Sequence, residues 1–193
     1  MSYLTTNEVR NLALELHKGQ FYGKPGVETA GNSLPFSFHI LSVEQVALRY
    51  SLSETVRQAC LLHDSLEDVE GLTQTMLAGS GVDPNVIELV WAVTDGKEGN
   101  RKTRHAEAYR KIANLKEQSS EPHLESSLYV QALYVKLCDR IANMEHSVVT
   151  RNVKIMQMYK KEHDSFVEGL GLHMNSMHPT IERVKQLMDF EVK

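Results

Sequence analysis

Cysteine is scarce in this sequence: Cys60 and Cys138 are the only two among 193 residues. That excludes a disulfide framework, and no closely spaced cysteine pair of the zinc-binding kind exists. Both thiols lie in apolar stretches, QACLLH and VKLCDR, and read as small core residues of a protein kept in a reducing cytoplasm. Long apolar runs are missing too, so no segment suffices to cross a bilayer, and MSYLTTNEVR lacks the apolar stretch of a secretory signal. Nor is there an excess of basic charge. With 21 Lys and Arg against 25 Asp and Glu, the net charge of −4 offers no general attraction to nucleic acid or to an anionic membrane. An anionic small molecule must then be met by a local basic cluster. Sustained apolar–polar alternation, internal repeats and low-complexity linkers are all absent, so neither a sheet nor a second domain is expected.

What the sequence does contain is helical periodicity. Apolar stripes predict helices near residues 6–21, 35–50, 53–66, 73–77, 84–94, 106–115, 128–144, 153–170 and 179–190. Thr5 or Thr6 can cap the first, and Ser53 with Glu54 opens the third. Gly, Pro, Asn and Ser mark residues 22–34 as loop, and residues 116–126 read as a surface loop. The expectation is an all-α helical bundle, one domain over residues 1–193.

The most informative segment is LLHDSLEDVEG, residues 61–71. His63 and Asp64 sit inside what reads as one apolar helix, where neither is cheap to bury. On a helix, Asp64, Glu67 and Asp68 share a face, and His63 lies one turn before Glu67. Such a convergence needs a partner to offset its desolvation, and a divalent cation supplies one. The sequence holds its own control in His163-Asp164, within YKKEHDSFVEG, whose charged flanks indicate a solvated helix face.

Two further candidates lie elsewhere. His39, in PFSFHILSVEQVA, reads either as a satisfied core histidine or as a ligand. Asp139, in YVKLCDRIANMEH, reads either as half of an ion pair with Arg140 or Lys136 or as a ligand, with Asn143 one turn later. Two nitrogens and two carboxylates suit Mn²⁺, Fe²⁺ or Zn²⁺ better than Mg²⁺ or Ca²⁺.

The ordered set His39, His63-Asp64 and Asp139 resembles the His…His-Asp…Asp signature of the HD phosphohydrolase superfamily. Within it, HKGQ at 17–20, Pro-Phe before His39, HDSLED at 63–68, VTDGK at 93–97 and VKLCDRIAN at 135–143 carry a narrower likeness. They resemble the hydrolase domain of the guanosine polyphosphate (ppGpp) 3′-pyrophosphohydrolases, the alarmone hydrolases of the stringent response. The resemblance spans roughly residues 6–170. It implies that His39, His63, Asp64 and Asp139 hold a manganese ion, and that Glu67 and Asp68 position or activate the attacking water. Asn143 would lie beside the ligand, and Lys136 would face the phosphates unless it pairs with a carboxylate. The same resemblance implies a phosphorylated nucleotide as substrate and a stand-alone hydrolase.

The rim departs from the family's pattern. Phe21, Tyr22, Gly23 and Lys24 stand where an arginine-rich stretch is usual, and only Lys24 keeps the charge. Ile40 replaces the usual proline after the first metal histidine, and the segment between Asn143 and Tyr159 is short. Lys97, Arg101, Lys102 and Arg104 are available for phosphate, or form a solvated face, and Tyr159 serves either base stacking or packing. The altered rim keeps two alternatives open: another HD specificity, such as a nucleoside 5′-monophosphatase, and a silent nucleotide- or metal-binding module.

Overall fold

The computed structural model describes residues 2–22, 34–172 and 178–190, and these form ten α-helices and one two-residue strand pair. α1 (Thr6–Leu16) begins at a capping box. Thr5 Oγ1 accepts the Glu8 amide at 3.4 Å, and the Glu8 carboxylate accepts the Thr5 amide at 2.7 Å. The helix ends at Leu16 rather than at residue 21. Gly19 turns the chain with φ +81°, and Phe21–Tyr22 (β1) pairs antiparallel with Leu34–Pro35 (β2). A two-residue ladder is too short to leave an alternating pattern, so the expectation of no strand is corrected here. Residues 23–33, Lys24 and most of the expected loop 22–34 included, lie outside the described residues.

α2 (Phe36–Arg49) leaves β2 directly, and α3 (Glu54–Leu62) starts where Ser53 Oγ accepts the Val56 amide at 3.3 Å. α3 stops at Leu62, and the short α4 (Ser65–Asp68) follows after a break at His63-Asp64. The single helix expected over 53–66 is thus two. α5 (Gln74–Gly79) and α6 (Pro84–Val93) come next, the first capped by Thr73 and the second by Asp83.

α7 (Arg101–Gln118) starts earlier than its apolar stripe suggests, because Asn100 Oδ1 caps the Thr103 amide at 3.1 Å. α8 (Leu128–Val149) runs past residue 144. α9 (Val153–Leu170) and α10 (Pro179–Asp189) close the chain.

α8 is the axis of the molecule, packed by α2, α3, α6, α7, α9 and α10. Its buried residues, among them Ala132, Val135, Cys138, Ile141 and Met144, point in several directions, as a surrounded helix requires. The described helices share one apolar core, and both free thiols, Cys60 and Cys138, are fully buried in it. No helix among the described residues is long and apolar enough to cross a membrane.

Three helices are clamped by a buried acid. Glu44 of α2 is 0% exposed; its Oε1 lies 2.7 Å from Arg10 Nη2 of α1 and 3.0 Å from Arg57 Nη2 of α3. Arg10 Nε adds a bond to Oε2 at 3.2 Å. Removing one member of a buried ion cluster leaves the others uncompensated, at about 3–5 kcal/mol. Both arginine side chains are partly exposed, so Glu44→Ala is expected to cost about 3 kcal/mol, the lower end. In a chain of this size that lowers the thermal midpoint by roughly 6–12 °C. A melt superimposable on wild type would show the cluster to be energetically neutral.

Candidate metal centre

The break between α3 and α4 is made by side chains that take over the helix's last carbonyls. His63 Nδ1 donates to the Cys60 carbonyl at 2.8 Å, and Ser65 Oγ donates to the Leu62 carbonyl at 2.5 Å. Asp64 then adopts φ −94°, ψ −4°, and its own carbonyl receives the amides of Glu67 and Asp68 at 3.1 and 2.9 Å. One consequence is chemical. With Nδ1 engaged on that carbonyl, His63 turns Nε2 inward, the atom it can offer to a cation.

Three further groups meet that nitrogen. His39, in the first turn of α2, is 4% exposed and brings Nε2 to 3.2 Å from His63 Nε2. Asp64 Oδ2 lies 3.0 Å from His63 Nε2 and 3.3 Å from His39 Nε2. Asp139, midway along α8, places Oδ1 at 3.4 Å from His39 Nε2 and 3.7 Å from His63 Nε2. Among the described residues, His39, His63 and Asp139 form the group whose donor atoms converge this closely, and Asp64 joins it through these contacts. Atoms bound at about 2.1 Å to one cation lie about 3.0 Å apart at a right angle and about 3.4 Å apart at the tetrahedral angle. The His39–His63 separation and those from each imidazole to Asp64 and Asp139 are close to such edges, and two ring nitrogens 3.2 Å apart between two carboxylates share either a proton or a cation. The residues fit a divalent cation. His163-Asp164 supplies nothing to this group, and Asp164 faces solvent.

Protonation separates the acids into two kinds. Burial works against the Asp64 carboxylate, but the imidazoles of His63 and His39 outweigh it and hold it far below the usual range. Asp139 is held well down in the same way, by hydrogen bonds from the two histidines. Glu67 and Asp68 go the other way. Burial, then Asp95 and Asp64, raise Glu67; burial and Asp64 raise Asp68. Two ionised carboxylates thus stand beside two of raised proton affinity, a contrast that proton transfer can use.

Asn143 is a support for the centre. Its Nδ2 donates to Asp139 Oδ1 at 2.5 Å, and its Oδ1 accepts from the Tyr22 hydroxyl at 2.5 Å. Tyr22 also stacks on His39, with ring centroids 4.9 Å apart and planes 14° from parallel. Sequence reasoning saw Tyr22 only as a lost arginine; nothing local signals that it covers a ligand. The HKGQ segment ties α1 to α4. His17 Nδ1 meets Gln20 Oε1 at 2.6 Å, and Gln20 Nε2 donates to the Asp68 carbonyl at 2.9 Å.

The basic candidates divide. Arg104 brings Nη1 to 3.8 Å from Glu67 Oε1, at the edge of the centre. Arg101 instead pairs with Glu162 of α9 at 2.8 Å, while Lys97 and Lys102 are exposed. Lys136 pairs with Asp95 at 3.0 Å. Tyr159 is corrected as a stacking platform: its residue is 8% exposed, and the Arg140 guanidinium lies over the ring at 4.7 Å. Its hydroxyl is pushed upward by burial and by the charge of Asp139.

Comparison with solved structures finds this arrangement of helices elsewhere. A metazoan ortholog of SpoT, described as hydrolysing ppGpp with a role in starvation responses, superposes with a TM-score of 0.66. The match covers 97% of this chain and 96% of that one at 20% identity. The two chains share one fold. In sequence, the chain is similar to the GTP pyrophosphokinase rsh of Brucella ovis, 27% identical over 175 residues and 88% of its length. The same protein of Brucella abortus matches equally. The chain spans about a fifth of the length of these relatives, 22%. No protein-family model matches it.

Proposed function

We propose that this protein is a metal-dependent phosphohydrolase that removes the 3′-pyrophosphate from guanosine 3′,5′-polyphosphates. The observation that carries this reading is the convergence of His39, His63, Asp64 and Asp139 on one point, with Glu67 and Arg104 at its edge. The fold match to a ppGpp hydrolase and the similarity to rsh support the choice of nucleotide.

His39, His63, Asp64 and Asp139 hold the cation, and the mixed nitrogen and oxygen set favours Mn²⁺. When bound, the cation polarises phosphate and lowers the pKa of water. Glu67, raised toward neutrality by burial and its acidic neighbours, orients the attacking water and takes up its proton, with Asp68 beside it. Arg104 neutralises phosphate charge from the first turn of α7, and Lys97, Lys24 and Lys136 complete the basic rim. Asn143 keeps the Asp139 carboxylate in its ligating orientation.

Incubating the Mn²⁺-loaded protein with guanosine tetraphosphate is expected to release pyrophosphate and leave the 5′-diphosphate. Release of orthophosphate, or turnover of nucleoside 5′-monophosphates alone, would replace the alarmone reading with another specificity on the same metal centre.

A further inference from the structure

Behind Glu67 lies a second polar cluster, which contains no metal ligand. Asp95 follows the end of α6 and is 10% exposed at its side chain. Each of its carboxylate oxygens has its own partner. Oδ1 lies 3.0 Å from Lys136 Nζ, and Oδ2 is in close contact with His105 Nδ1, in the second turn of α7. The Asp95 backbone amide donates to Glu67 Oε2 at 3.3 Å. The next amide, of Gly96, donates to the Arg104 carbonyl at 3.0 Å, so the segment is moored to α4 by one amide and to α7 by the next.

These contacts restrict motion. A carboxylate with one partner can pivot about both of its side-chain torsions. A partner on each oxygen, with the amide also engaged, fixes it. Lys136 gains the same way: it sits one turn before Asp139 on α8, and its ammonium stands in the field of both Asp95 and Asp139. Without Asp95 held in place, that cation is free to swing toward Asp139 or Glu67. Burial alone would disfavour the Asp95 charge, but His105 and Lys136 together keep it ionised.

We propose that Asp95 and His105 are positioning residues for the hydrolysis described above. His105 locks the Asp95 carboxylate, and Asp95 in turn holds the Lys136 ammonium and the Glu67 carboxylate in register with the metal centre. The proposal rests on the phosphohydrolase reading, and it adds two residues to the machinery that neither contact the cation nor belong to the His…His-Asp…Asp set.

The test compares His105→Ala with His105→Asn, whose amide N–H can stand in for Nδ1–H. Each is assayed in the Mn²⁺-loaded protein on guanosine tetraphosphate and on bis(p-nitrophenyl) phosphate, a diester that needs no nucleotide recognition. Metal content and thermal midpoint are measured alongside. His105→Ala is expected to lower kcat about tenfold on the substrates that wild type turns over, a modest share of what misplacement can cost. KM should stay within about twofold. Metal content and thermal midpoint should be unchanged, and His105→Asn should recover most of the rate. An unchanged kcat, an equal loss in both variants, or an effect confined to KM overturns the proposal. Wild-type turnover of the diester without the tetraphosphate removes the substrate assignment, and the diester rates then decide this proposal alone. A wild type inert toward both overturns proposal and hydrolase reading together.

Discussion

Glu67→Gln will keep the metal and the fold while turnover falls about 10²–10⁴-fold, the range for loss of a general acid–base group. The expectation follows from where the side chain is and what surrounds it. Glu67 lies one turn beyond His63, yet among the described residues its carboxylate contacts the Asp95 amide and Arg104, where that of Asp64 contacts the two imidazoles. Its Oε2 takes the Asp95 amide and its Oε1 faces Arg104 at 3.8 Å. Burial and the charges of Asp95 and Asp64 raise its proton affinity, which readies it to accept a proton from water. The amide of glutamine preserves size and hydrogen bonding but has no basic oxygen to protonate. Steady-state rates on metal-replete protein, with metal content measured in parallel, decide the matter. Near-normal turnover with full metal removes Glu67 from the chemistry.

The second large effect concerns the cation itself. Asp64→Ala should leave the purified protein with almost no bound divalent metal after dialysis, where wild type retains about one per chain. Asp64 is the cleanest ligand to remove, because its side chain makes no helix-capping bond. His63→Ala should lose metal as well, but it also strips the Cys60 carbonyl of its donor, so part of its effect will appear as lowered stability. Elemental analysis on both variants, with circular dichroism to confirm the helices, separates the two contributions. Equal metal in wild type and both variants would place the ion elsewhere.

The helices and the clustered polar residues were legible in the sequence for the same reason: both are contrasts against an apolar background. α9 and α10 match the predicted 153–170 and 179–190 to within a residue, since their stripes end at Gly171 and begin at Pro179. His39, His63, Asp64 and Asp139 stood out as polar groups in apolar runs, and the structure brings all four together.

What stayed hidden depends on contacts distant in sequence or on terminal geometry. The end of α3 at Leu62 leaves no periodic trace, because His63 itself keeps helical dihedrals, φ −55° and ψ −35°. The start of α7 was masked by Arg101, Lys102 and Arg104, cations in a first turn where the helix dipole favours acids. Arg101 finds its carboxylate 61 residues away at Glu162, and Tyr22 meets Asn143 across 121 residues. No local pattern encodes such pairs.

The supports of the centre share one further property. His63 rests on the carbonyl of Cys60, Ser65 on that of Leu62, and Gln20 on that of Asp68, while Asn143 also reaches the carbonyl of its own α8 residue Asp139. A backbone carbonyl is supplied by every amino acid, so the residue providing it can change without deleting the acceptor. For these bonds the side chains of Cys60 and Leu62 are immaterial, and a substitution there that keeps the packing leaves both acceptors in place for His63 and Ser65.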